Sequence, residues 1–146
     1  MNLEMILGMW QEDCKIQDPL DEASRQSPIL HSKYLNMLTE AKLQLKRAEM
    51  AQKTLLKSKW LYYNGKMTKE EIQELNWDFD PFRGLKVLKG EMDYYYDADT
   101  DIQKSEEKIQ NWKTNVETLT EIIDNIKWRH QNIGNMIRWR QFEAGG

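Results

Sequence analysis

Cysteine is almost missing from this 146-residue chain, where Cys14 stands alone. A single thiol excludes an internal disulfide and fits a reducing compartment; its expected place is that of a small buried hydrophobe. Histidine occurs only as His31 and His130, and no Cys/His cluster carries zinc-ligand spacing. There is no glycine-rich phosphate loop and no Gly-x-Ser-x-Gly elbow. Carboxylates are numerous but sit in charged, solvated runs, where shifts useful for acid–base work do not arise. No apolar run approaches a membrane span. The start, MNLEMILGMW, has no basic region and carries Glu4, unlike a secretory signal. The expectation is therefore a chain with no catalytic residue, no cofactor, no metal site and no membrane segment.

Proline (3) and glycine (7) are also scarce, and that absence favours long helices. What remains is 31% charged and 40% hydrophobic, the make-up of amphipathic helices. The mean hydropathy of -0.82 is low for a monomer of this length, so much of the apolar surface is expected between subunits. The net charge of -3 is strongly segregated. Residues 1–26 carry -4, residues 27–66 carry +6, residues 67–107 carry -7 and residues 108–146 carry +2. Local patches, not the total, decide which partners are attracted.

Four segments of one domain follow. Residues 1–26 read as a short helix over 2–13, with Leu3, Ile6, Leu7 and Trp10 on one face, then a polar linker broken at Pro19. Residues 27–65 read as a long basic helix, with Ser27 as N-cap, Pro28 at the first helical position and Asn64-Gly65 as the stop. Residues 66–100 form an acidic insert. In it Thr68 and Glu71 make a capping box, while 82–96 is open between a strand, an irregular hairpin and a weak helix. Asp97–Asp101 begins like a calcium loop, but Ile102 stands at its glycine position and Lys108 at its closing glutamate; the acids fit a helix N-terminus, with Thr100 and Gln103 as a capping box. Residues 101–146 form a heptad helix. Its seam is Ile102, Ser105, Ile109, Trp112, Val116, Leu119, Ile123, Ile126, His130, Ile133 and Ile137. His130 is expected as a packed core imidazole.

The long basic helix carries two stripes. An apolar one, with interruptions, runs Tyr34, Leu38, Ala41, Leu45, Ala48, Gln52, Leu55, Lys59, Tyr62. Lys42, Lys46, Lys53 and Lys57 lie within about 60° of arc at roughly 100° per residue, with Trp60 beside them. The fold class expected is all-α, two long amphipathic helices in a helical hairpin with short flanking helices, leaving outer faces for other copies. Lysines neutralise phosphates and release counterions; Trp60, Tyr62 and Tyr63 suit stacking on unpaired bases. Lys59 on the apolar seam is costly without a compensating partner.

The segment Lys57-Ser-Lys-Trp-Leu-Tyr-Tyr-Asn-Gly65 resembles the basic-x-basic, then Tyr-Tyr-x-Gly pattern of the UvsY family of recombination mediators from T-even-type phages. Ile126-Lys127, Arg129, Ile133 and Arg140-Gln-Phe-Glu-Ala-Gly145 are similar to the family's C-terminal pattern. Met9-Trp10 and Asp13-Cys14 resemble its cyanophage branch. The resemblance implies a non-enzymatic protein assembling into a cyclic homo-oligomer (hexamer or heptamer) in the cytoplasm of the infected host cell. It implies binding of single-stranded DNA and the loading of a RecA-like recombinase onto DNA covered by single-strand-binding protein. The family's DNA-contacting basic pair maps onto Lys57 and Lys59, to which the stripe adds Lys53, Lys46, Trp60, Tyr62 and Tyr63. Its assembly region maps onto 126–145, with Ile126, Ile133, Ile137, Arg140 and Phe142 as contact residues. Lys59 stands where the best-known member has Arg, and Trp60 and Leu61 also differ. The rival reading is a structural helical adaptor that binds only proteins.

Overall fold

The computed structural model describes residues 1–145; Gly146, the last residue of the expected 101–146 segment, lies outside them. The chain is all-helical. Its elements are α1 (Leu3–Asp13), α2 (Leu20–Tyr63), α3 (Lys69–Glu74), a 3-10 turn (Lys89–Glu91), α4 (Met92–Asp97), α5 (Thr100–Lys127) and α6 (Arg129–Glu143). Among the described residues 82–96 contain no strand: turns lead into the 3-10 turn and α4. The chain divides into two compact units, residues 1–45 with 110–146, and residues 46–109. Parts of α2 and α5 lie in both.

In the first unit the two seams meet. Tyr34, Leu38 and Ala41 of α2 join Leu119, Ile122, Ile123 and Ile126 of α5, and Ile6 of α1 closes the cluster. The steps of three and four that mark these residues in the sequence bring them to one side of each helix. Asn2 caps α1 by accepting from the Met5 N–H, which starts the helix so that Ile6 points inward and Trp10 meets Tyr34 edge-on at 5.5 Å. Asp13, at the other end of α1, accepts from Lys33 Nζ at 2.6 Å and from the Tyr34 hydroxyl at 2.8 Å. Burial alone would raise the Asp13 carboxyl, but these two hydrogen bonds and the Lys33 and Arg129 charges outweigh it and hold it below its ordinary value. Cys14, expected inside, is exposed at the end of α1.

Two boundaries differ from the sequence reading. The long helix begins at Leu20, seven residues before the expected cap, so Pro28 lies inside it. Proline there removes the donor to the Ser24 carbonyl. Ser24 is exposed, and the turn before Pro28 is tied from outside. The buried Arg129 donates from Nε to Ser27 Oγ at 3.0 Å and from Nη2 to the Ala23 carbonyl at 3.3 Å.

The second boundary is a break at Trp128, where a single heptad helix was expected. The Trp128 N–H bonds to Asn125 three residues back, and the chain restarts as α6. The tighter turn advances the helix face. Arg129 turns inward and His130 outward, its Nδ1 2.8 Å from the Lys127 carbonyl. The expected core imidazole is thus at the surface.

The second unit is built on capped helix ends. At the end of α2, Gly65 takes φ +68, the Lys66 N–H bonds to Leu61 at 2.8 Å and the Gly65 N–H to Tyr62 at 3.2 Å. This is a Schellman stop, for which glycine's freedom at positive φ is required. Thr68 caps α3 by accepting from Glu71. At the start of α5 the cap is Asp99, one residue before the expected Thr100: its Oδ1 accepts from the Asp101 and Ile102 N–H groups at 2.9 and 3.0 Å. Between these ends an aromatic cluster packs the insert. Tyr63 contacts Phe82, Tyr95 and Tyr96, and Tyr62 contacts Trp77.

Candidate functional site

The α2 segment within the second unit has two opposed faces. Lys57 and Lys59 are two residues apart, hence about 160° apart around the helix. Lys57, Lys53 and Lys46 are exposed, and none pairs with a carboxylate among the described residues. Met50 (57%) and Trp60 (47%) are exposed on the same side. The order Lys46, Met50, Lys53, Lys57, Trp60 advances by four, three, four and three, so these side chains form one continuous row. Lys66, just past the Gly65 turn, sets its ammonium 4.6 Å from the centre of the Trp60 ring.

Lys59 faces the other way. It is 3% exposed, with Nζ 3.0 Å from Asp99, 2.9 Å from Asp101 and 3.8 Å from the centre of the Trp77 ring. Tyr63, also buried, donates at 2.6 Å to the same Asp99 oxygen, Oδ2, that Lys59 approaches, and the Tyr62 hydroxyl donates to the Asp78 carbonyl at 2.6 Å. Burial would raise Asp99, but the Tyr63 hydroxyl, the Ile102 N–H and Lys59 together keep it below the ordinary carboxylate range. Tyr63 is pushed the other way, by burial first and then by Asp99. Of the seven residues expected to touch DNA, the structure groups Lys46, Lys53, Lys57 and Trp60 on an open face. Lys59, Tyr62 and Tyr63 are gathered instead into a closed network that ties α2 to the start of α5. Reaching a phosphate or a base from there would require exposure those three do not have.

The two aspartates have a consequence for acid stability. A carboxyl held below its unfolded value contributes stability that is complete above about pH 4 and lost as pH falls through the folded-state value. Thermal unfolding followed by circular dichroism should therefore show a plateau from about pH 5 to 7 and a decline below about pH 4. Asp13→Asn should melt lower at pH 7 and decline less steeply in acid. An equal decline in both proteins would refute the role given to Asp13.

The five residues expected to join subunits also separate. Ile126 and Ile133 are buried in the chain itself, at 4% and 3% exposure. Arg140 pairs with Asp18 at 2.7 Å. Ile137 and Phe142 are exposed, and Phe142 stacks on Trp139 at 5.6 Å. The sequence reading gave no role to Lys66, and it placed Asp99 at a helix N-terminus and Arg129 in the C-terminal motif without the ion pair to Lys59 or the bonds to Ala23 and Ser27. Lys66 lies beyond the helix stop and outside any periodic row, and only its position one residue after the glycine hinted at a return toward Trp60.

No group of three or more His, Cys, Asp or Glu among the described residues could hold a metal ion. No helix among the described residues is long and apolar enough to cross a membrane. The fold and this row define a helical binding protein whose open face suits a flexible polyanion. A family model described as the recombination, repair and ssDNA binding protein UvsY matches residues 9–146. The chain is 31% identical to the recombination protein uvsY of Enterobacteria phage T4 over 99% of both chains. Crystal structures of the bacteriophage T4 recombination mediator protein UvsY superpose with a TM-score of 0.80 at 28% identity, covering 99% of this chain and 98% of that one. A second crystal form gives 0.79 at 26% identity, with 98% and 99% covered. The chain belongs to the UvsY family of recombination, repair and single-stranded-DNA-binding proteins.

Proposed function

We propose that this chain is a recombination mediator that acts without catalysis. It binds single-stranded DNA along the open α2 face and promotes the loading of a RecA-like phage recombinase onto DNA covered by single-strand-binding protein. The observation that carries the DNA part is the row Lys46, Lys53, Lys57 and Trp60, exposed together and free of carboxylate partners among the described residues. Three cations in a row release counterions on meeting phosphates, and the indole offers a base a stacking surface. The protein works as a cyclic homo-oligomer of six or seven copies in the cytoplasm of the infected host cell. Exposed Ile137, Trp139 and Phe142 on α6 supply apolar surface for that assembly. Ile126 and Ile133 support it from within by holding the helix ends in place. A ring repeats the lysine row once per subunit, so contacts that are weak singly bind one strand tightly together.

The test is a titration of fluorescent oligo-dT across a salt series. Lys46, Lys53 and Lys57 changed together to alanine should flatten the slope of log affinity against log salt by about 2 for each copy the strand contacts, at roughly 0.7 per lysine. An unchanged slope in a folded triple variant rejects the site. Sedimentation alongside it should give a mass of several subunits; a monomer at micromolar concentration rejects the ring.

A further inference from the structure

Lys66 has no place in the lysine row, yet the fold returns it to the row's end. The Gly65 turn reverses the chain, and the exposed Lys66 sets its ammonium 4.6 Å from the centre of the Trp60 ring. No carboxylate pairs with Lys66 among the described residues, and no second aromatic ring packs on Trp60. This sets Trp60 apart from Tyr62 and Tyr63, which are each held by neighbouring rings. The end of the helix is also closed. The Trp60 carbonyl receives the Asn64 N–H and side-chain amide, Leu61 receives Lys66, and Tyr62 receives Gly65. An arriving phosphate therefore meets an ammonium rather than a fringe of bare carbonyl oxygens.

We infer that Lys66 and Trp60 form a clamp for one nucleotide of an unpaired strand, the base stacked on the indole and a neighbouring phosphate on the Lys66 ammonium. This rests on reading the α2 face as the single-stranded-DNA site, and adds to it a residue outside the helix. The cation on one face of the indole fixes the ring through a cation–π contact. The ring is thus ordered before the base arrives, so less freedom is lost on binding. Lys66 keeps its ammonium at the surface, where it adds to the charge of Lys57 one helical turn away from Trp60.

The clamp separates into two measurable halves. Oligo-dT and an abasic strand of equal length are titrated across a salt series against wild type, Lys66→Met, Lys66→Arg and Trp60→Ala, with melting curves as the folding control. Lys66→Met should weaken binding to both strands and lower the salt slope by about 0.7 for each copy contacted, while Lys66→Arg keeps it. Trp60→Ala should weaken oligo-dT binding roughly 5- to 150-fold, leave its salt slope unchanged and have little effect on the abasic strand. A folded Lys66→Met protein with wild-type affinity and slope overturns the clamp. If the Lys46, Lys53 and Lys57 triple variant still loses its slope, only the clamp has failed and the α2 face stands. Equal losses by Trp60→Ala on both strands overturn the stacking half.

Discussion

Lys59→Ala is expected to destabilise the protein by about 3–5 kcal/mol, the usual cost of removing one partner from a buried ion pair. The substitution leaves Asp99 buried with its carboxylate facing a void, and Asp101 without its cation. Asp99 also caps α5 and accepts from Tyr63, so the damage spreads to both ends of the network. The measurement is chemical unfolding at pH 7, read by far-ultraviolet circular dichroism. A neutral triple variant, Lys59→Met with Asp99→Asn and Asp101→Asn, should recover most of the loss, because no charge is then left unpaired and the asparagine can still cap the helix. The prediction separates a positioning role from a contact role. If Lys59→Ala melts like wild type and instead lowers the oligo-dT salt slope, Lys59 meets phosphate directly and the network is incidental. If the triple variant is stable and keeps the wild-type slope, Lys59 acts through the fold.

Arg129→Met is expected to cost about 2–4 kcal/mol, from two hydrogen bonds made by a charged donor in a buried setting. Among the described residues it removes the only side chain that braces the turn before Pro28 from another helix by hydrogen bonds. The coupling is testable. In a Pro28→Ala background the helix regains its missing bond, and the same Arg129→Met change should cost less. Equal costs in the two backgrounds, measured by denaturant unfolding, would mean that Arg129 and Pro28 are neighbours without being partners.

Which features were legible follows from what kind of information each required. The seams of α2 and α5 were readable because a periodicity of three and four is a local property that one-sided burial imposes on any helix. The stop at Gly65 and the start at Thr68 were readable because capping uses residues within a few positions of each other. The start of α2 was not. A serine followed by proline is a sound start signal, but Pro28 is tolerated in the interior because Arg129, a hundred residues away in the chain, braces the turn before it. The burial of Arg129 in place of His130 was unreadable for a related reason: one tight turn at Trp128 changes which of the two faces inward, while Ile133 stays buried where the seam placed it.

The functional residues divide in the same way. Charge segregation and the lysine spacing placed an exposed lysine row on α2 from the chain alone, because cations three and four residues apart share a helix face wherever the helix is placed. The UvsY-like segment was legible as a motif, and its two lysines already fell on different stripes, Lys57 on the basic one and Lys59 on the apolar seam. Helical geometry puts them on opposite faces, and only the tertiary structure supplied Asp99 and Asp101 to neutralise the inner one. The partner that the seam position of Lys59 called for is thus supplied at the start of α5, and Lys66 entered through a turn that periodicity does not describe. Sequence sets what depends on near neighbours, namely helix, face and charge. Packing decided which charge stays in water, because burying an ammonium is affordable only where a distant part of the chain brings it a carboxylate.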